Sequence, residues 1–354
     1  MLSLKLEPGG VGLNSESRTG SGANPVRAFE ACTKHVVLFI LLLLAAACSA
    51  PPEEENSEPP EPETRAVGPR VDATDFPWQV GLEAEGIDGH CGAVQISQNF
   101  VLTAAHCLDK NLNYGSGAAD LVDATKVTLF AATNKFGDEH LEVATDWPIR
   151  AHPCYKLDRR GPGPHSVQIG ASIFNCGSLK IANHAAYDSA IIRLAESRDH
   201  DVTTAPVRAM NFDDGNAVMS GWGLTFGEDP KTMTKELRAA TVPIKSVEQC
   251  RFNLAGFTNV VGDHAICSLD EVFTACGYDS GGPLVAGSRA APQTVGIVSG
   301  GSSLECGVPR PNTALVTVYT RASALKDWVL HVTRDPTTVT SDPLPDLMQV
   351  RSID

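Results

Sequence analysis

Short apolar runs follow one another along the chain from Phe76 onward. Gly, Pro, Asn and Asp residues separate them, and these residue types favour turns. Runs of this length between turn residues are typical of β-strands. The runs are WQVGL, VLTAAHC, KVTLFAA, AIIRL, ELRAATVPI, VGIVSGG and ALVTVYT. The pattern therefore predicts an all-β domain.

A stretch near the C-terminal end shows a helical period instead. Four apolar residues recur there at the spacing of one helix face, namely Leu325, Trp328, Val329 and Val332. Ser323 precedes most of them and is the expected N-cap. We expect this helix to pack against the β domain. Residues 334–354 are polar and contain prolines, which predicts a disordered tail.

An apolar segment near the N-terminus has the features of an export signal. Residues 36–47 (VVLFILLLLAAA) are twelve apolar residues, and Arg27 and Lys34 precede them. They are too few to span the ~30 Å core of a bilayer as a helix, but they suit the core of a signal peptide. We therefore assign residues 1–48 to an export segment. Export takes a chain to an oxidising compartment, where disulfides form.

The end of this segment, LLLLAAAC, resembles the lipobox of bacterial lipoproteins. In that motif the cysteine, here Cys48, is lipidated and becomes the mature N-terminus. Ser49 would then indicate an outer-membrane address, although Ala45 departs from the more usual Leu. The alternative is an ordinary signal cut near Ala47 or Ala50. The expected location is thus exported, either anchored in the outer membrane or secreted.

Residues 49–65 (SAPPEEENSEPPEPETR) separate the export segment from the β domain. They carry too little apolar surface to offset the entropy of ordering the chain. Repelling charges and prolines favour an extended chain of about 3.1 Å per residue. We expect a disordered linker and propeptide that can hold a domain away from a membrane.

Charge and cysteine spacing exclude two classes of partner. The formal net charge of −14 argues against a nucleic-acid backbone, which needs clustered Lys and Arg. None of the cysteines lies in a CxxC or Cys/His zinc spacing, so we expect disulfides and neither a metal nor another cofactor. The cysteines are Cys32, Cys48, Cys91, Cys107, Cys154, Cys176, Cys250, Cys267, Cys276 and Cys306.

Two motifs carry the candidate chemistry. The stretch CGYDSGGPL at 276–284 places Ser280 among residues that let the backbone approach a substrate closely. A serine hydroxyl is a poor nucleophile unless a base takes its proton and N–H groups hold the developing oxyanion. A tight turn would also explain DSGG alone, but TAAHC at 103–107 supplies the base, His106. Cys91 precedes this motif and can pin its loop by a disulfide.

Together TAAHC and DSGGPL resemble the trypsin-like serine protease family. Further motifs occur in the family's order, namely FPWQV at 76–80, His152-Pro153, YDSAIIRL at 187–194, GWG at 221–223 and VYT at 318–320. The resemblance spans residues 66–333. It implies two antiparallel six-stranded β-barrels with a C-terminal helix and an active site in the cleft between the barrels. It also implies an endopeptidase acting on protein or peptide substrates.

The family's third catalytic residue is a buried carboxylate that orients the histidine. Asp188 opens the run AIIRL as the family's aspartate does, which makes the expected triad His106, Asp188 and Ser280. Other carboxylates lack that context and are expected in solvent, namely Asp120, Asp123, Asp138, Asp146, Asp158, Asp199 and Asp201.

The resemblance also implies the disulfide pairs Cys91–Cys107, Cys250–Cys267 and Cys276–Cys306. The interval between His106 and Asp188 is longer than in typical members, so we expect an inserted loop. Cys154 and Cys176 bracket the insertion, and we pair them. Closing such a loop contributes about 3 kcal/mol in the chain-entropy view.

Arg65-Ala66 resembles the family's activation site. Cleavage after Arg65 by another protease would free an α-amino group at Ala66 that pairs with Asp279, and it would release the enzyme from a lipid on Cys48. The departures are Ala66 itself, where Ile or Val is usual, and Pro69, where Gly is usual. Arg70-Val71 is a rival site, but it lies too near Phe76 to leave enough chain.

Specificity in this family depends on the pocket base, six residues before the nucleophile, where Thr274 stands instead of a carboxylate. The resemblance implies a pocket that prefers small or medium apolar side chains over Lys and Arg. Its expected residues are Thr274, Ala275, Ser299, Gly301 and Thr317. Ser299 also resembles the family serine that lies beside the aspartate, on the segment that pairs with substrate backbone.

The oxyanion-hole donors implied by the resemblance are the N–H groups of Tyr278 and Ser280. Tyr278 stands where Gly is usual, and Gly300 replaces the usual aromatic wall. If the backbone there needs a positive φ, either the tyrosine is strained by ~1 to 3 kcal/mol or its N–H turns away from the oxyanion. Two alternatives stay open: a catalytically weak homologue that serves as a binding module, and a non-proteolytic esterase that uses the same site and differs only in substrate.

Overall fold

The structure is a computed structural model of the chain. The described residues are 68–112, 119–155, 165–177, 186–196, 202–225, 231, 233–246, 249, 263–301, 306 and 315–353. The predicted export segment, the linker, Cys48, Arg65 and Ala66 lie outside them. Among the described residues, no helix is long and apolar enough to cross a membrane.

The first half of the described chain forms β1 to β9, in line with its short apolar runs. They are β1 (Gln79–Ala84), β2 (His90–Ser97), β3 (Phe100–Thr103), β4 (Val127–Ala131), β5 (His140–Leu141), β6 (Arg150–Ala151), β7 (His165–Ile169), β8 (Ser172–Gly177) and β9 (Ala190–Arg193). Seven of them form one sheet in the order β5-β4-β1-β2-β3-β9-β6. The other two, β7 and β8, form an antiparallel hairpin inside the predicted insertion.

The second half forms an eight-stranded sheet and a helix. The strands are β10 (Val207–Arg208), β11 (Gly215–Gly221), β12 (Arg238–Lys245), β13 (Ala265–Asp270), β14 (Pro283–Ser288), β15 (Ala291–Gly301), β16 (Leu315–Arg321) and β17 (Val339–Thr340). Their order is β14-β11-β12-β13-β16-β15-β10-β17, and an added β14–β15 ladder closes the first six into a ring. The two barrel-like sheets and the terminal helix confirm the predicted fold class.

The helix α1 (Ala322–Thr333) packs against the body as predicted. Leu325, Trp328 and Val329 are buried. The N-cap prediction was wrong, because the helix begins directly after β16 with Arg321 as N-cap and no side-chain capping bond. Ser323 lies inside the first turn, where its hydroxyl donates to Asn211 Oδ1 at 2.8 Å.

The segment after Thr333 differs from the predicted disordered tail. Residues 334–353 are ordered, and β17 extends the second sheet as a parallel neighbour of β10. The N–H of Met348 donates to Gly287 O, and that of Ile353 donates to Arg70 O, both at 3.0 Å. Leu347, Met348 and Val350 pack against the core. The polar composition of the tail predicted disorder because the contacts that order the tail come from residues far away in the sequence, such as Gly287 and Arg70.

Candidate active site

His106 and Asp188 lie together on the first sheet. His106 sits in a short 3-10 turn, Ala105–Leu108, directly after β3, and Asp188 lies just before β9. Strands β3 and β9 pair side by side, which brings the two residues into contact. The Nδ1–H of His106 donates to Asp188 Oδ2 at 2.6 Å, and the main-chain N–H of His106 donates to Asp188 Oδ1 at 2.9 Å.

The second sheet completes the surroundings of Asp188. The hydroxyl of Ser299 donates to Asp188 Oδ2 at 2.7 Å, and that of Thr320 donates to the Asp188 carbonyl at 3.0 Å. Ser299 lies at a β-bulge, where the register of β15 against β16 shifts between Val298 and Gly300. A bulge re-aims a side chain. The bulge thus directs the Ser299 hydroxyl at Asp188, where the resemblance placed a serine beside the aspartate.

The pair shifts the pKa values of both members. Burial alone lowers the pKa of His106, but the charge and hydrogen bond of Asp188 outweigh that effect and raise it above its ordinary value. For Asp188 the signs are reversed. Burial alone raises its pKa, but the charge of His106 and the hydrogen bonds from His106 and Ser299 outweigh burial and lower the pKa below its ordinary value. Asp188 therefore stays ionised and stabilises a protonated His106.

Ser280 comes from the second sheet, in the turn before β14. The N–H of Gly92 in β2 donates to the Ser280 carbonyl at 2.7 Å, so the turn sits directly on the first sheet. Sγ of Cys107 lies 3.8 Å from His106 Nε2 and 3.6 Å from the Ser280 carbonyl oxygen. The three residues of the predicted triad therefore converge. Ser280 Oγ itself has no hydrogen-bond partner among the described residues, His106 included.

Glycine is required where this turn meets the first sheet. Gly281 has φ +78°, and a Cβ there would overlap Thr103 Oγ1 and the Gly92 carbonyl. A Cβ on Gly92 would in turn lie only 2.6 Å from the Cα of Gly282. The close approach of the two sheets explains the DSGG sequence physically.

Tyr278 adopts a left-handed backbone conformation with φ 73°. The backbone N–H groups of Tyr278 and Ser280 donate to no acceptor in the part of the chain that the structure describes. Two free N–H groups beside a serine are the donors that an oxyanion requires. The strain expected from the sequence is therefore present, and both donors are available.

Asp279 is buried without a cationic partner among the described residues. Its carboxylate accepts the Gly223 N–H at 2.8 Å and the Cys276 N–H at 2.9 Å. Burial raises the pKa of Asp279 to about 7. A Cβ on Gly221 or on Gly223 would overlap this carboxyl group, which explains the GWG motif. The predicted ammonium partner at Ala66 lies outside the described residues.

Two threonines meet at the predicted pocket base. Oγ1 of Thr274 and Oγ1 of Thr317 lie 3.0 Å apart, and the Ala275 N–H donates to Thr317 Oγ1 at 2.9 Å. Both threonines are fully buried. Gly301 is the partner of Thr317 in the β15–β16 ladder, so four of the predicted pocket residues, Thr274, Ala275, Gly301 and Thr317, lie next to one another.

Three of the predicted disulfides are present, namely Cys91–Cys107, Cys154–Cys176 and Cys276–Cys306. Cys267 is also disulfide-bonded, whereas Cys250 lies outside the described residues, so their pairing stays a prediction. Among the described residues, Cys91, His106 and Cys107 have metal-ligand spacing. The metal-binding form of cysteine is the thiolate. The two sulfurs here are oxidised, so this cluster does not suit a metal.

Sequence reasoning missed two residues next to the site. Gly89 and His90 begin the stretch GHCG, and the ring of Tyr278 lies against both. The stretch was visible beside Cys91, but nothing local connects it to Tyr278.

Comparisons with known proteins agree with this geometry. The trypsin family model matches residues 66–329. Hypodermin-B of Hypoderma lineatum is 29% identical over 271 residues, which cover 76% of this chain and 88% of that protein. Chymotrypsin-like elastase family member 3B of Macaca mulatta is 27% identical over 274 residues, covering 76% of this chain and 93% of that protein.

A solved structure supports the fold. Neuropsin, a serine protease expressed in the limbic system of mouse brain, aligns with a TM-score of 0.53 at 22% identity, covering 76% of this chain and 100% of neuropsin. The relatives named here are animal proteins and give no support to the bacterial lipoprotein prediction for Cys48. The family match, the two-sheet fold and the convergence of His106, Asp188 and Ser280 lead to one conclusion: the chain belongs to the trypsin family and is a serine endopeptidase.

Proposed function

We propose that the chain cleaves peptide bonds through an acyl-enzyme formed on Ser280. The observation that carries this proposal is the 2.6 Å bond between His106 Nδ1 and Asp188 Oδ2, because it leaves Nε2 of His106 as the base. Hydrogen bonds between nucleophile and base are often loose in unliganded sites and tighten on substrate binding. The unbonded Ser280 Oγ is compatible with that behaviour.

The reaction proceeds in two halves. Ser280 Oγ attacks the scissile carbonyl carbon while His106 Nε2 takes its proton, and the N–H groups of Tyr278 and Ser280 donate to the oxyanion. His106 then gives the proton to the leaving amine as the C–N bond breaks. Water, deprotonated by His106, hydrolyses the ester and regenerates the Ser280 hydroxyl. Asp188 keeps its charge throughout and stabilises the imidazolium.

Active-site labelling separates this function from a binding module. Chain cleaved after Arg65 should react with a fluorophosphonate at one site, and Ser280→Ala should abolish both labelling and peptidase activity. Cleaved protein that folds but neither labels nor hydrolyses peptides would support the binding-module alternative. Labelling with ester hydrolysis but no peptide hydrolysis would support the esterase alternative.

For specificity, we propose small or medium apolar side chains at the cleaved position. The support is the bonded pair of Thr274 and Thr317, which puts hydroxyls where a carboxylate would be needed to hold Lys or Arg. A peptide panel tests this, and fastest cleavage after Arg or Lys would contradict it.

For activation, we propose cleavage after Arg65 and insertion of the new α-amino group beside Asp279. The support is the buried Asp279 carboxyl. Burial raises its pKa to about 7, so a nearby ammonium group would stabilise its ionised form. Asp279→Asn should be cleaved to the same Ala66 start, read by N-terminal sequencing, yet remain largely inactive. Full activity of the cleaved variant would contradict the ion pair.

We also propose that residues 1–48 direct export, which the disulfides of the catalytic region favour. A lipid on Cys48 is a further prediction of the lipobox alone, and cleavage after Arg65 would release the enzyme from it. The N-terminal sequence and mass of the exported protein test the export site, the lipid and the activation cleavage together.

A further inference from the structure

The ring of Tyr278 occupies a recess that only glycine leaves open. A Cβ on Gly89 would overlap Cε1 and Cδ1 of the Tyr278 ring, so the ring fills the place that a side chain at position 89 would take. The imidazole of His90 lies on the ring as well, with centroids 5.3 Å apart and planes 33° apart. The tyrosine of the second sheet is thus seated on the start of β2 in the first.

His90 is itself held firmly. Its ring stacks on Phe136 with centroids 4.4 Å apart, and its Nε2–H donates to the Trp222 carbonyl at 3.2 Å. Burial lowers the pKa of His90 to about 4, so the ring is neutral near pH 7 and can make both contacts. Phe136 also packs edge-on against Trp222 at 5.3 Å. The recess therefore has a rigid wall.

A rigid seat matters because Tyr278 is in a conformation that L residues avoid. Its φ of 73° persists only where the surroundings over-determine it. In that conformation its N–H has no acceptor among the described residues and is free for a substrate oxygen. Tyr278 packs against Leu224, Cys276 and Cys306 of its own sheet, and its contacts from the first sheet are those of the ring with Gly89 and His90.

We propose that Gly89 and His90 are positioning residues for the oxyanion donor. By seating the Tyr278 ring, they keep the Tyr278 backbone left-handed and its N–H directed at the oxyanion. The proposal rests on the proposed function, because it assigns a cause to the geometry of that site. It predicts that the ring and its recess act as a unit, so a change in one matters only while the other is present.

A double-mutant cycle on the cleaved enzyme tests this. Gly89→Ala should displace the ring, lowering kcat about a hundredfold with little change in KM, as loss of one oxyanion donor does. Affinity for a peptide aldehyde, which mimics the tetrahedral intermediate, should fall by a similar factor. Tyr278→Gly keeps the N–H and takes a positive φ without strain, so it should retain measurable turnover.

In the Tyr278→Gly background, Gly89→Ala should lower kcat by less than about threefold, since no ring remains to displace. Gly86→Ala is the matched control. Gly86 lies in the same loop with φ +85°, but a Cβ there meets nothing within 4 Å. It carries the same backbone strain without touching Tyr278 and should keep the wild-type kcat.

Several results would overturn the proposal. One is an undiminished kcat in Gly89→Ala, and another is an equal loss of kcat in both backgrounds. If Gly89→Ala does not fold, as judged by circular dichroism, His90→Ala replaces it in the same cycle with the same expectations. A wild-type enzyme that neither labels nor hydrolyses peptides would instead contradict the proposed function itself.

Discussion

The Asp188 carboxylate accepts two hydrogen bonds from His106, one from the ring Nδ1–H at 2.6 Å and one from the main-chain N–H at 2.9 Å. The two carboxylate oxygens thereby fix both the loop and the imidazole plane. Ser299 donates to the oxygen that binds the ring, so three groups define one orientation of the carboxylate. The residue that determines the histidine tautomer is also the residue that determines its position.

Asp188→Asn should therefore lower kcat/KM by about four orders of magnitude, because the amide favours the wrong imidazole tautomer. KM should change little, since Asp188 does not touch substrate. Ser299→Ala is the comparison variant and should cost only about tenfold, the effect of one hydrogen bond to a charged group. Steady-state kinetics on one peptide substrate measures both. Equal losses in the two variants would contradict the assigned roles.

The pKa of His106 can be measured directly by NMR titration in the Ser280→Ala variant, which cannot hydrolyse substrate. We expect a midpoint above the ordinary value of 6.5, because Asp188 favours the imidazolium. The imidazolium cannot accept the Ser280 proton, so wild-type activity is present above this pKa and is lost as the pH falls through it. Adding Asp188→Asn leaves burial, the largest effect, opposed only by the charge of Asp109, so the midpoint should move below 6.5. An unmoved midpoint would disprove the coupling.

We predict that the size of the proposed specificity pocket depends on Thr317. Thr317→Gly removes the side chain that bonds Thr274 Oγ1 and the Ala275 N–H, and it opens space at the base. Each extra methylene then accommodated should shift relative kcat/KM by about 10–200-fold toward larger apolar residues. A peptide series varying the residue before the cleaved bond measures this. Thr128→Gly, at a half-buried position on β4, controls for loss of a strand threonine.

The ordered tail should stabilise the catalytic region without touching its site. Removing residues 341–354 deletes the Met348–Gly287 and Ile353–Arg70 bonds and exposes apolar surface beneath Leu347. We expect the free energy of unfolding to fall by about 2–4 kcal/mol, the equivalent of one or two buried apolar side chains. Denaturant titration measures it, and kcat/KM at low temperature should stay unchanged. A tail that is dispensable for stability would leave the unfolding midpoint unmoved.

The amino-acid sequence by itself determined the class of fold, the chemistry of the site and its main residues. Strand periodicity and turn residues are local properties of the sequence. The TAAHC and DSGGPL motifs are local as well, because each is a short run of residues that contains its functional residue, His106 or Ser280. Asp188 could be chosen because it opens an apolar strand. The helix α1 was visible for the same reason, through the spacing of Leu325 and Trp328.

The tertiary structure alone decided how these residues meet. The seating of Tyr278 on Gly89 and the ordering of the tail on Arg70 both join residues far apart in sequence. No local pattern reports such contacts, because they exist only once the two sheets have closed against each other. Packing between the sheets therefore determines whether Tyr278, an unfavourable residue for its backbone conformation, still presents its N–H.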